Sequence, residues 1–99
     1  MFARIARFEG GDPARVDESI EAVRSQIGAE RPEGMEAAKE FLMLVDRKTG
    51  TELGIVFFDS EEAMHRGDEF LNQMSPPVPD ATGRRTSVEM YEVALRQEV

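Results

Sequence analysis

Apolar residues concentrate in two runs, Phe41–Val45 and Leu53–Phe58, on either side of the polar stretch Asp46-Arg47-Lys48-Thr49-Gly50. Runs of Phe, Leu, Ile and Val bounded by turn residues predict a β-hairpin over Lys39–Asp59. Gly50 closes its turn, where a positive φ is often needed. In the first run Phe41, Met43 and Val45 point one way, Leu42 and Leu44 the other. In the second, Leu53, Ile55 and Phe57 oppose Gly54, Val56 and Phe58. A sheet with one wet face alternates apolar and polar residues. Both faces are apolar here, so each needs a cover.

The hairpin is flanked by two further strand–helix patterns. Phe2–Glu9 reads as a strand, with Phe2, Arg4, Ala6 and Phe8 on one side and Ala3, Ile5, Arg7 and Glu9 on the other. After Gly10-Gly11, Asp12 can cap a helix whose first position is Pro13. Val16, Ile20, Val23 and Ile27 form its apolar stripe and Gly28 its stop. Ala29–Ala38 reads as a loop broken by Pro32 and Gly34. Its Met35 either folds back on the core or plugs a pocket or interface. Ser60 caps a second helix with a buried stripe of Ala63, Met64, Gly67, Phe70, Leu71 and Met74. A helix-interior Gly costs about 1 kcal/mol against Ala, so Gly67 implies a close approach to sheet or neighbouring helix. Ser75–Gly83 is a Pro-rich loop that cannot continue that helix. Thr86–Arg96 is the last strand, with Val88 and Met90 on one side and Glu89, Tyr91, Val93 and Leu95 on the other. Its length would let its end reach beyond its own sheet.

The order β-α-β-β-α-β predicts an α+β, ferredoxin-like fold of one domain, residues 1–99: a four-stranded antiparallel sheet with two helices on one face. The other face is then bare and apolar. A twofold homodimer with those faces packed together would cover it.

Composition narrows the function classes. The chain has 99 residues, 40% hydrophobic and 32% charged, which fits a folded domain. A net charge of −8 repels phosphate backbones and anionic lipid, so neither nucleic acid nor membrane is an expected partner. No apolar run approaches the roughly 20 residues of a membrane span. The opening Met-Phe-Ala-Arg-Ile-Ala-Arg lacks the order of a secretory signal, and there is no cysteine. A cytoplasmic protein is the expectation.

Several stretches carry a family likeness. They are the first strand with its two Arg residues, the Gly-Gly-Asp-Pro helix start and the hairpin Leu44-Val45-Asp46-Arg47-Lys48-Thr49-Gly50. Phe57-Phe58-Asp59-Ser60-Glu61-Glu62-Ala63 and Val88-Glu89-Met90-Tyr91-Glu92-Val93 complete the set. In this order the chain resembles the dimeric α/β barrel proteins, especially the antibiotic-biosynthesis-monooxygenase-like group. The resemblance implies the fold above and a homodimer. It also implies a choice of activities: cofactor-independent oxygenation of aromatic or quinol-like metabolites, haem degradation, isomerisation, or none known. The haem-degrading members would carry an Asn on the first strand, a Trp at the end of the third and a His on the second helix. Here Phe2–Glu9 has no Asn, Phe58 stands in the Trp place, and Asp68 stands at the His spacing with His65 three residues short. That site does not carry over, and no cofactor is expected.

The candidate chemistry is sparse. His65, the single histidine, could act as a general base or haem ligand, or be an exposed helix residue. Tyr91 could donate a hydrogen bond or proton to a ligand oxygen, or simply pack. Arg7 and Arg4 could clamp a carboxylate or phenolate, or pair with Glu89 or Glu92 on the adjacent last strand. Phe58, Met64 and Phe70, with Phe57 and Met74, could line a pocket for a small aromatic molecule or be core. One His without Cys gives no metal-ligand spacing. The expected function is therefore small-molecule binding, with cofactor-independent monooxygenation of an aromatic or quinol-like metabolite as its catalytic form. The alternative is a non-catalytic ligand-binding or interaction module.

Overall fold

The computed structural model describes residues 1–28 and 34–99. Strand β1 (Phe2–Gly10) leads through a 3-10 turn (Pro13–Arg15) into helix α1 (Val16–Gly28). Strands β2 (Ala38–Val45) and β3 (Glu52–Phe58) form the central hairpin. Helix α2 (Glu61–Leu71), the one-turn helix α3 (Pro79–Thr82) and strand β4 (Gly83–Glu92) follow. The expected helix caps are present: the Asp12 side chain accepts from Ala14 N (2.9 Å) and Ser60 Oγ from Ala63 N (3.1 Å). Gly50 takes φ +80° at the hairpin turn. Pro32, expected as a loop breaker, lies outside the described residues.

The protein is α+β, with one four-stranded antiparallel sheet in the order β2-β3-β1-β4. Arg4 pairs across β1 and β3 with Val56, and Phe8 with Glu52, which puts Arg4, Phe8, Glu52, Val56 and Phe58 on one face. Both longer helices are tied to that face. Arg4 Nε lies 2.7 Å from Asp68 Oδ1 on α2, and Ser19 Oγ on α1 donates to Glu52 Oε1 at 2.9 Å. The core under α2 is Val56, Phe58 and Met64, joined by Met35, which folds back on it. Gly67 has the close approach its position implied: a Cβ there would stand 2.5 Å from Phe58 Cζ and 3.3 Å from Met35 Sδ.

The opposite face carries Ile5, Leu53, Ile55 and Phe57 with Leu42 and Leu44, the last two 40% and 49% exposed. Among the described residues no helix covers it. The two-sided apolar pattern of the hairpin therefore corresponds to one helix-covered and one uncovered face.

Three local expectations differ from the structure. The Pro-rich loop holds helix α3, because Pro79 at a first helical position forfeits no hydrogen bond. The last strand runs Gly83–Glu92 instead of Thr86–Arg96. Gly83 at φ +89° pairs with Gly10 and lengthens the start, and Val93 N→Met1 O (2.8 Å) is the final rung, with no β1 backbone alongside beyond it. The chain then crosses its own sheet, where Arg96 Nη1 lies 3.3 Å from Glu40 Oε2 on β2. Finally, α1 buries only Val16 and Ser19, while Ile27 at the far end of the expected stripe is 48% exposed. The helix is anchored by its first half, and its second half roofs an open space.

Candidate functional site: a cavity between sheet and helices

That space is a cavity of about 370 Å³ between α1, the helix face of the sheet and the segment after α2. Its walls are largely apolar, with Val23, Phe41, Met43, Val56, Leu71 and Met74 among the residues that line it and Gln26 and Ser75 among the polar exceptions. Part of its floor is small. Ala6 and Gly54 sit side by side on β1 and β3, and a Cβ at Gly54 would meet only the Phe41 ring, at 3.6 Å. A glycine inside a strand weakens it and often marks a place where something approaches the backbone closely.

One end of the cavity is a guanidinium cluster. Arg4 is buried, its side chain 4% exposed. Its Nε is matched by Asp68 and its Nη2 donates to Asn72 Oδ1 at 3.2 Å. The Asn72 amide nitrogen donates in turn to Asp68 Oδ2 (3.2 Å), and Asn72 Oδ1 also accepts from Arg85 Nη1 (2.8 Å). Asn72 thus bridges two guanidiniums against one carboxylate. Arg85 reaches this face because of a bulge in β4. Arg7 pairs with Ser87 but Phe8 with Arg85, so Thr86 is the extra residue. A bulge re-aims side chains in this way and is common beside functional sites.

Near the start of β3, Glu52 lines the same cavity; the residue is 2% exposed. Its Oε1 accepts from Ser19 Oγ, which shares a 2.7 Å hydrogen bond with Thr82 Oγ1. Its Oε2 is buried and, among the described residues, has no hydrogen-bond partner. Burial pushes this carboxyl up from the ordinary range, and the Ser19 hydrogen bond only partly opposes that. A protonatable carboxyl with an unpartnered oxygen, on a residue at the wall of a largely apolar hollow, is suited to exchanging a proton or hydrogen bond with a bound molecule.

The residues singled out in the sequence are dispersed by the fold. Arg4 faces the cavity, and its partners come from α2 instead of Glu89 or Glu92. Arg7 is on the uncovered face, paired with Glu9 at 3.1 Å, and holds that carboxyl below its usual range. Tyr91 is exposed on the same face and donates to Glu89, a bond that pushes its phenol up. His65 is exposed on α2, 3.5 Å from Glu61. Phe58 and Met64 are buried core beneath α2. Phe70 lines a second, smaller hollow of about 240 Å³ with Met35 and Ile27. Met74 lines both hollows.

Glu52, Asn72 and Arg85 are not among the residues that the sequence marks as candidates. For Glu52 a signal is present: it shares the inward parity of Gly54, Val56 and Phe58, one residue before the apolar run Leu53–Phe58. Arg85 had none, since the bulge that turns it inward leaves no trace in the residue pattern.

Among the described residues there is no grouping of His, Cys, Asp and Glu able to hold a metal ion, and no helix long and apolar enough to cross a membrane. No protein-family model matches the chain, and no curated protein matches it.

Proposed function

We propose that the protein binds a small, largely apolar molecule in the cavity between its sheet and helices. The observation that carries this reading is a hollow with largely apolar walls lined by Glu52, whose buried carboxyl oxygen has no hydrogen-bond partner among the described residues. An unsatisfied buried acceptor costs about 1–3 kcal/mol, and a ligand offering it a hydrogen bond would recover that. The hollow is at the small end of the roughly 300–1,000 Å³ typical of ligand pockets.

The strand order and the two helices tied to one face agree with a ferredoxin-like fold of the dimeric α/β barrel type. In that arrangement two copies bury their uncovered faces together, hiding Leu42, Leu44, Ile55 and Phe57. The occupant of this face is a second copy, because an exposed apolar patch such as Leu42 and Leu44 is covered most economically by a twofold-related copy.

A catalytic form of the same reading is cofactor-independent oxygenation of an aromatic or quinol-like metabolite, and Glu52 favours it. The chemistry needs a base to make the substrate anion, and Glu52 would take that proton in its ionised form, as a carboxylate made more basic by burial. The anion then supplies the electrons to O₂. One oxygen atom enters the ring carbon, which loses its hydrogen and becomes a carbonyl, and the other oxygen leaves as water.

Titration with 2-naphthol, followed by its own fluorescence, tests the binding reading directly, since the chain has no Trp and one Tyr. Saturable binding of one molecule per chain is expected, and a linear, unsaturable response to 2-naphthol and to naphthoate probes alike would refute it. Oxygen uptake with 1,4-dihydroxynaphthalene, above the rate without protein and lost in Glu52→Gln, is the outcome for the catalytic form. Binding without uptake leaves the non-catalytic form.

A further inference from the structure

We infer that the ligand of this cavity is an elongated, apolar monoanion carrying a hydroxyl at its far end, its anionic group on Arg85 and its hydroxyl on Glu52. The inference rests on the ligand-binding reading above and specifies the class of molecule. Arg85 and Glu52 are the two cross-strand neighbours of Phe8, one on β4 and one on β3. Their backbones are therefore two strand spacings apart, roughly 10 Å. Phe8 faces the cavity between them. The two polar groups thus mark the ends of an apolar span.

The charge balance selects an anion at one end. The charge of Arg4 is met by Asp68. Arg85 donates to the neutral Asn72 amide oxygen, and among the described residues no carboxylate lies within ion-pair distance of it. A carboxylate accepting from Arg85 would complete the cluster with a charge-assisted bond. Asn72, held by Arg4 and Asp68, keeps that guanidinium in place.

The chemistry of the other end selects a hydroxyl. Among the described residues Glu52 Oε2 has no partner, while Oε1 is committed to Ser19. A hydroxyl both donates and accepts, so it satisfies this oxygen whether or not the carboxyl holds its proton. Burial favours the protonated form, in which Glu52 does not repel the anion of the ligand. The walls between, Phe41, Met43 and Val56 among them, are mostly apolar and suit an apolar middle of the molecule.

Three fluorescent probes separate the two ends: 6-hydroxy-2-naphthoate carries both groups, 2-naphthoate lacks the hydroxyl and 2-naphthol lacks the carboxylate. On the native chain 6-hydroxy-2-naphthoate is expected to bind tightest, with each of the others about tenfold or more weaker. Arg85→Gln, at an exposed position, should weaken both acids and leave 2-naphthol unchanged. Glu52→Leu should weaken both hydroxylated probes and leave 2-naphthoate unchanged. Circular dichroism checks that each variant is folded, and the comparison on the native chain decides the matter if Glu52→Leu does not fold. Equal affinities for the three probes within twofold, or tighter binding of 2-naphthol than of the acids, would overturn the inference while leaving a ligand site in place. Saturation by none of the three would overturn the ligand-binding reading with it.

Discussion

Glu52 makes a pH-dependent contribution to stability whose sign follows from its surroundings. The residue is 2% exposed, one carboxyl oxygen accepts from Ser19 Oγ and the other has no partner among the described residues, so the neutral form is favoured in the folded chain. The cations nearest along the cavity are Arg4, matched by Asp68, and Arg85, held by Asn72, and neither bonds to Glu52. An unfolded glutamate titrates near about 4.3. Below that pH both states are protonated and the burial of Glu52 carries no ionisation penalty. As pH rises, the unfolded chain releases the proton first, so the native state binds more protons and stability falls. The slope approaches ~1.4 kcal/mol per pH unit while Glu52 alone differs, and levels off above its folded pKa. Glu52→Gln keeps the shape and an acceptor for Ser19 but cannot ionise. The difference in unfolding free energy, variant minus native, should therefore climb from the mid-4s upward and then plateau. Subtraction removes the opposite contributions of Glu9, Asp17 and Glu18, whose arginine partners hold them below the usual range. Urea denaturation followed by circular dichroism at a series of pH values between 4 and 8 measures it. A difference that is flat across that range would refute the assignment of a neutral, desolvated Glu52.

Gly67→Ala gains about 1 kcal/mol of helix propensity, but its methyl would stand 2.5 Å from the fully buried Phe58 ring. Overpacking of that kind costs about 1–3 kcal/mol, so a lowered midpoint in thermal melts is expected, and a raised one would contradict the packing. Asp68→Asn removes the countercharge of the buried Arg4. Because Asp68 is 17% exposed, the loss should be about 2 kcal/mol, below the scale for fully buried pairs. A variant as stable as the native chain in urea would show that water already shields Arg4. Sedimentation at micromolar concentration should give a dimer that Leu44→Glu, on the uncovered face, converts to a folded monomer. A native monomer of 11.1 kDa would contradict the packing of two such faces.

Elements were legible in the sequence wherever local chemistry fixes them. The Asp12 and Ser60 caps, the Gly50 turn and the two apolar runs Phe41–Val45 and Leu53–Phe58 each reflect a constraint within a few residues. The close approach at Gly67 was legible too, since a helix-interior glycine is costly enough to need a reason. What escaped depends on relations between elements. An apolar stripe such as Val16–Ile27 says that a helix packs, but not how far along its length, and the cavity exists because α1 packs by its first half only. Arg85 turns inward through a bulge at Thr86, which is set by the pairing of β1 with β4 and not by residue type. His65 and Tyr91 drew attention as reactive types, yet neither lines the cavity. Glu52, on an inward position of a strand, was the more informative residue.

Filling the cavity tests the site most directly. Gly54→Leu places a side chain on the cavity floor, where a Cβ has ordinary contact with the Phe41 ring and no clash. The variant should fold, and 2-naphthol binding should fall at least about tenfold, the equivalent of ~1.4 kcal/mol. A folded Gly54→Leu chain that binds 2-naphthol as tightly as the native one would show that the cavity is not the binding site.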